Sequence, residues 1–290
     1  MFLRMTKKRG AMLPAKLAGL LLAAVVTHAS VAQELSPLDD PKMQRVEPFQ
    51  VFDNLYYVGA KWVAAWVLET DQGLILFDTL YGELTDIAID GMRDLGMDPD
   101  DVRYVIVSHA HYDHIGGARR MQDEFGAVVV MTEEDWQMTN EPAIYQEYPK
   151  PIRHLTATHG GTLNLGREKL TFMKTPGHTP GVLSTSFTVY DKGYPYAAVL
   201  MGGAGLNFEG VERTQMYIDS IEFLLTLEGV EVNIPNHADS ADVFERAERL
   251  AERKADEVHP FVDPEGWSAW LNELMVAAQA KMAEEKEKAR

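Results

Sequence analysis

The stretch "SHAHYDHIGG" (residues 108–117) places three of the chain's nine histidines and an aspartate within six positions, directly after the apolar run Tyr104-Val105-Ile106-Val107. No other feature of the 290 residues restricts the fold as strongly. A short apolar run reads as a buried strand, so the cluster sits at a strand end. Gly116-Gly117 lets the backbone turn tightly into a helix expected over about 114–125. In extended chain, side chains two apart point the same way. His109, His111 and Asp113 can therefore converge while His114 points elsewhere, so one cluster can feed two neighbouring metals. Two such sites need more donors. "TPGHTPG" (175–181) puts His178 in a Gly/Pro turn between two expected strands, and "IPNHADS" (234–240) puts His237 directly after another. There is no cysteine, which excludes thiolate ligands, a cysteine nucleophile and disulfides.

Around these motifs the pattern is one of strands punctuated by Gly and Asp. Strands are expected at 49–53, 55–58, 62–69 ("WVAAWVLE"), 73–78, 102–107 and 127–131, with a helix over 83–95. Residues 132–160 read as irregular and rich in Tyr and Pro. Strands resume at 161–165, 169–174, 183–190 and 195–201, followed by a helix over 213–228 and a strand at 231–234. Two halves of strands followed by helices suit two packed sheets with helices outside. In the tail, Trp267, Trp270, Leu271, Leu274, Ala278 and Met282 make one apolar helical face, expected to pack on the chain's own domain.

Residues 1–32 read as a targeting segment: a basic start (Arg4, Lys7, Lys8, Arg9, Lys16), an apolar run from Leu17 to Val26, and Ser30-Val31-Ala32 as a small-x-small cleavage site before Gln33. The apolar run is short for a transmembrane span. The expectation is a secreted or periplasmic chain with no stable membrane association after processing. Removing five of the 27 basic residues leaves 22 against 44 acidic ones, a net charge of −22. Such a surface repels nucleic acid, so no nucleic-acid partner is expected. The expected organisation is a signal peptide (1–32), a main domain (33–245) that carries the histidine motifs, and a helical extension packed on it (246–290).

"HAHYDH", "TPGHTPG" and the late "NHAD", with "GLILFDTL" ending its strand in Asp78, resemble the metallo-β-lactamase superfamily over roughly residues 50–245. The resemblance implies a four-layer αββα sandwich with two Zn2+ per chain at one edge of the sheets. It implies His109, His111 and His178 on the first zinc, Asp113, His114 and His237 on the second, and a hydroxide bridging them. Many members carry an aspartate between the metals where this chain reads "AVLMGGAG", with Gly202-Gly203. Lacking both that acid and any cysteine, the chain is most similar to the third subclass of class B β-lactamases, although its last fifty residues go beyond a typical member.

That resemblance implies attack on a carbonyl of a small-molecule substrate, with Asp113 orienting the nucleophile and shuttling its proton. Asp78, Ser108 and Thr179 are candidates either to support the ligands or to make ordinary turn and cap bonds. Trp62, Tyr145 and Tyr148 are candidates for the substrate mouth or for core packing. The expected activity is opening of a cyclic amide, a β-lactam first. The alternatives are a lactonase or another ester, amide or thioester hydrolase, and a non-catalytic metal-binding protein. Intact-mass measurement on chain recovered from the periplasm should give an N-terminus near Gln33. A full-length, membrane-retained product contradicts the cleavage reading.

Overall fold

A computed structural model describes residues 36–141 and 148–290; the targeting segment lies outside the described residues. Seven strands form one sheet in chain order: β1 (Phe49–Phe52), β2 (Leu55–Tyr57), β3 (Trp66–Thr70), β4 (Gly73–Phe77), β5 (Val102–Ile106), β6 (Val128–Thr132) and β7 (Leu155–Ala157). The first four pair antiparallel and the last four parallel. A short α1 (Pro41–Gln44) precedes the sheet. Helices make the crossovers that parallel pairing requires: α2 (Thr85–Asp94) after β4, α3 (Tyr112–Ile115) and α4 (Ala118–Phe125) after β5, and α5 (Glu133–Met138) after β6.

The second sheet has β8 (Thr162–Leu165), β9 (Glu168–Lys174), β10 (Leu183–Asp191), β11 (Tyr194–Met201) and β12 (Val232–Pro235), in spatial order β12-β11-β10-β9-β8. Its pairs are antiparallel except β11–β12, which is parallel and bridged by α6 (Val211–Leu225). Two further helices close the chain, α7 (Val243–Glu252) and α8 (Pro264–Lys288).

Period-two side-chain alternation puts each strand between two apolar layers. Ile75, Phe77, Ile106 and Val130 face Phe187, Val189, Leu200 and Ile234 across the gap between the sheets. Leu74, Leu76, Val105 and Val129 on the opposite face pack under Ile87, Met92, Ala118 and Met121 of α2 and α4. Val199 and Met201 meet Tyr217, Ile221, Trp267 and Leu271 of α6 and α8. The result is the expected four-layer αββα sandwich. Asp263, whose side chain accepts from the Gly266 amide (2.8 Å), starts α8 with Pro264 behind it. Its apolar face lies on α6. No described helix is long and apolar enough to cross a membrane.

Three local expectations are corrected. The strand expected over 62–69 begins only at Trp66, because Ala60 to Val63 close a turn and Ala64 bonds Asn236. Residues 62–65 are not a continuous strand: Ala65 accepts from the Val58 amide (2.9 Å) and Val63 makes an isolated antiparallel bridge with His237, while Val63, Ala64 and Ala65 are buried. The stretch 132–160 holds α5 and β7. Asp113 does not follow strand alternation: extended backbone ends at His111 and α3 begins at Tyr112, so Asp113 and His114 ride a helical turn. Truncating Leu271, fully buried between α8 and α6, should cost about 2–5 kcal/mol. Urea unfolding of Leu271→Ala measures this, and an unchanged midpoint contradicts the packing.

Candidate metal centre

The strands that carry the histidine motifs all end at one edge of the sandwich, the place where open α/β sheets put their ligands. Six side chains assemble there into two groups of three: His109, His111 and His178, and Asp113, His114 and His237. In the first group, His109 Nε2 lies 3.1 Å from His111 Nδ1 and 3.0 Å from His178 Nε2. In the second, His114 Nε2 lies 3.1 Å from His237 Nε2 and 3.2 Å from an Asp113 oxygen, which is 3.6 Å from His237 Nε2. Ligands about 2.1 Å from a tetrahedral zinc stand about 3.4 Å apart, so the spacing fits that ion. Each group takes two residues from the segment that follows β5, His109 and His111 from its loop and Asp113 and His114 from α3, and one from a turn at the end of a second-sheet strand.

The far side of each ring fixes its tautomer. His109 Nδ1–H donates to the Gly202 carbonyl (2.7 Å), His178 Nδ1–H to Gly205 (2.8 Å) and His237 Nδ1–H to Trp62 (3.1 Å). His114 Nδ1–H donates to Asp78 Oδ2 (2.8 Å). All four Nε2 atoms are thereby turned, as acceptors, toward the group centres, the arrangement that ligating histidines need. Asp78 also accepts from the Ser108 amide and hydroxyl, both at 2.7 Å. It does so from a left-handed backbone (φ 59), as does Leu80 (φ 56), a conformation costly for leucine. The segment is held there because the Thr79 amide and hydroxyl both bond the His114 carbonyl, at 2.8 and 2.9 Å.

The electrostatics suit a cation. Burial and the neighbouring imidazoles hold His109 well below its ordinary pKa, and burial takes His111 to about 4 and His178 to about 3. Burial also lowers His237. These rings are neutral at physiological pH, the form that ligates. His114 goes the other way: burial opposes its charge, but Asp113 and Asp78 on either side win and raise it to about 10. Burial likewise opposes the Asp113 carboxylate, yet His114, His237 and His111 hold its pKa well below the usual range. The two carboxylates are arranged for one positive charge, a proton on His114 or a cation at its Nε2.

Gly202-Gly203 is a steric requirement of the site. A Cβ at Gly203 would lie 2.9 Å from the His178 Cβ and ring, and one at Gly202 would lie 2.3 Å from the Leu183 carbonyl. An aspartate at 203 would therefore displace a candidate ligand. Of the candidate mouth residues, Trp62 lies 5.2 Å from the His237 ring, and Tyr148 stacks on Tyr112 at 5.9 Å with Tyr81 edge-on to both. Tyr145 lies outside the described residues. Thr179 bonds Asp135 and no ligand ring. His154, His159 and His259 sit apart, bonded to backbone or to Gln122.

Sequence reasoning passed over four contributors. Tyr112 occupies the odd position inside the histidine motif, and Asn236 bonds the Gly202 carbonyl (2.8 Å). Arg213 on α6 donates to the Gly177 and His178 carbonyls (2.7 and 2.6 Å), gripping the His178 turn. Asp135 lies in the first turn of α5, three residues after Thr132, a spacing that marks a helix start.

The sequence profile of the metallo-β-lactamase superfamily matches residues 61–191. BJP-1, a subclass B3 metallo-β-lactamase of Bradyrhizobium japonicum, superposes with a TM-score of 0.79 at 25% identity, covering 88% of this chain and all of that one. The N-acyl homoserine lactonase AttM of Rhizobium radiobacter is 31% identical over 124 residues, 40% of this chain and 41% of that protein. The hydroxyacylglutathione hydrolase of Salmonella typhi is 29% identical over 157 residues, 52% and 53% of the two chains. The chain thus spans about half or less of the length of these two curated relatives. The fold, the site and these matches all resemble the metallo-β-lactamase superfamily. The chain is a zinc-dependent hydrolase of β-lactamase-like type, and its structural neighbours include metallo-β-lactamases of subclass B3.

Replacing Asp78 by Ala removes the anchor of His114 and should lower metal affinity at the Asp113-His114-His237 group by about 10–100-fold. Competition against a chromophoric chelator reads the change, and unaltered affinity contradicts the role given to Asp78.

Proposed function

We propose that this chain is an exported di-zinc hydrolase that opens a cyclic amide, with β-lactams the first candidate substrate. The observation that carries the reading is the set of four imidazoles whose Nδ1–H groups are committed to carbonyls or to Asp78 while their Nε2 atoms converge. His109, His111 and His178 would hold one zinc, and Asp113, His114 and His237 the other. When bound, zinc supplies a Lewis acid that makes water a nucleophile near neutral pH. The chain's own residues do the rest. Asp113, the one carboxylate among the six, stays ionised, the form that can hold a cation and accept a hydrogen bond from the attacking water. Trp62, Tyr112 and Tyr148 offer an aromatic wall to the apolar body of a substrate.

Three features favour a β-lactam. The second group contains no cysteine, no acid enters from 202–203, and the fold follows BJP-1 over its whole length. Export, read from residues 1–32, places the enzyme where such compounds arrive. The likeness to an N-acyl homoserine lactonase and to a hydroxyacylglutathione hydrolase supports a second reading, a lactonase or thioesterase on the same residues.

Elemental analysis of zinc-saturated protein should give two zinc ions per chain; one or none sinks the two-site reading. Turnover of a chromogenic cephalosporin and a carbapenem is then compared with that of an acyl-homoserine lactone and a thioester. If lactone or thioester opens a hundredfold more efficiently, about 2.7 kcal/mol in transition-state stabilisation, the second reading replaces the first.

A further inference from the structure

The three histidines of the first group come from two separate segments, the loop after β5 and the turn between β9 and β10. Their relative position decides whether the three nitrogens meet. One buried side chain touches both segments without approaching the ligand rings. Asp135, 1% exposed, uses a single oxygen, Oδ2, to accept the Ala110 amide at 2.8 Å and the Thr179 hydroxyl at 3.0 Å. Ala110 lies between His109 and His111, and Thr179 follows His178. The carboxylate therefore bonds a neighbour of every histidine in the group.

The surroundings hold that oxygen in place. Asp135 sits in the first turn of α5, where its amide bonds Oγ1 of the N-cap Thr132 at 3.4 Å. The Thr132 hydroxyl in turn donates to the Gly181 carbonyl at 2.6 Å. A Cβ at Gly181 would fall 2.3 Å from Thr132 Oγ1 and 2.5 Å from Asp135 Oδ1, so the TPGHTPG turn lies directly against the start of the helix. An exposed helix start gets its cap from a carboxylate in water at little cost. Here burial pushes the Asp135 carboxyl up to about 6, against the bonds that favour its charge. A carboxylate kept buried at that cost has a task beyond capping a six-residue helix.

We propose that Asp135 is a positioning residue for the first metal: its Oδ2 ties the HAHYDH loop to the TPGHTPG turn, so affinity at the His109-His111-His178 group depends on it and affinity at the second group does not. The proposal rests on the metal-binding reading above. The second group supports this asymmetry, because His114 and His237 are anchored elsewhere, by Asp78 and by the Trp62 carbonyl.

The test uses the whole mature chain loaded with cobalt(II). Chelator competition gives the affinities, and paramagnetic NMR of the ring N–H signals reports each ligand histidine separately. Asp135→Ala and Asp135→Asn should weaken the first group by about 10–100-fold, shift the signals of His109 and His178, and leave those of His114 and His237 in place. Thr179→Val removes one of the two donors and should weaken the same group by a smaller factor, with Thr179→Ser restoring it. Equal loss at both groups, or a first group as tight as the parent's, overturns the proposal. Should the Asp135 variants not fold, Thr179→Val decides alone: unaltered first-group affinity overturns the proposal equally. A parent chain that binds no metal at the first group overturns the metal reading itself, an outcome distinct from a binding parent with unaffected variants.

Discussion

Two carboxylates and five imidazoles share one nearly dry edge of this sandwich, and the rest of the site follows from keeping them there. Buried polar groups must be paired or they cost several kcal/mol each. Four of the rings satisfy one nitrogen with a carbonyl or with Asp78, which leaves the other aimed at its neighbours at 3.0–3.2 Å. Burial, reinforced by repulsion between charged imidazoles this close, lowers the pKa of every ring but one. The exception, His114, is the ring enclosed by both acids.

The backbone is shaped to serve that crowding. Asp78 and Leu80 take left-handed conformations so that the end of β4 can bond both the side chain and the carbonyl of His114. Gly202 and Gly203, just after β11, bring the chain so near that the Gly202 carbonyl reaches His109 and no room is left for a side chain at 203 beside His178. On the other flank Arg213 and Ser220 of α6 bond the carbonyls of Pro176, Gly177 and His178 in succession. The outer helix layer thus acts on the histidines through their backbone and touches none of their reactive nitrogens.

Much of this was legible in the sequence. Strands buried on both faces show as short apolar runs bounded by Gly and Asp, and ten of the twelve strands among the described residues were expected within a few residues of their observed limits. Residues 62–65 misled because burial beneath a neighbouring segment leaves the same apolar signature as burial in a sheet. The helix α5 and the strand β7 were hidden because six residues, five of them polar or aromatic, and three at an edge carry too little periodicity to rise above a Tyr- and Pro-rich stretch. The histidines stood out by type and by their places at strand ends. Strand alternation grouped Asp113 with His109 and His111, whereas the structure groups it with His114 and His237, because the chain enters α3 between them. Asp135 and Arg213 escaped notice since they act on peptide groups, and any chain has those everywhere.

The division of the six side chains between the sheets has a mechanical side. Each group takes two members from the seven-stranded sheet and one from the five-stranded sheet, so a cation bound in either is a rivet through both. Prising the layers apart at this edge then means giving up the ion. At a free concentration a thousand times its dissociation constant, each such rivet adds about 4 kcal/mol of resistance to opening. A chain with no disulfide to close its sandwich would gain, at the edge where chemistry requires the most open packing, a seam whose strength is set by the metal content of its surroundings.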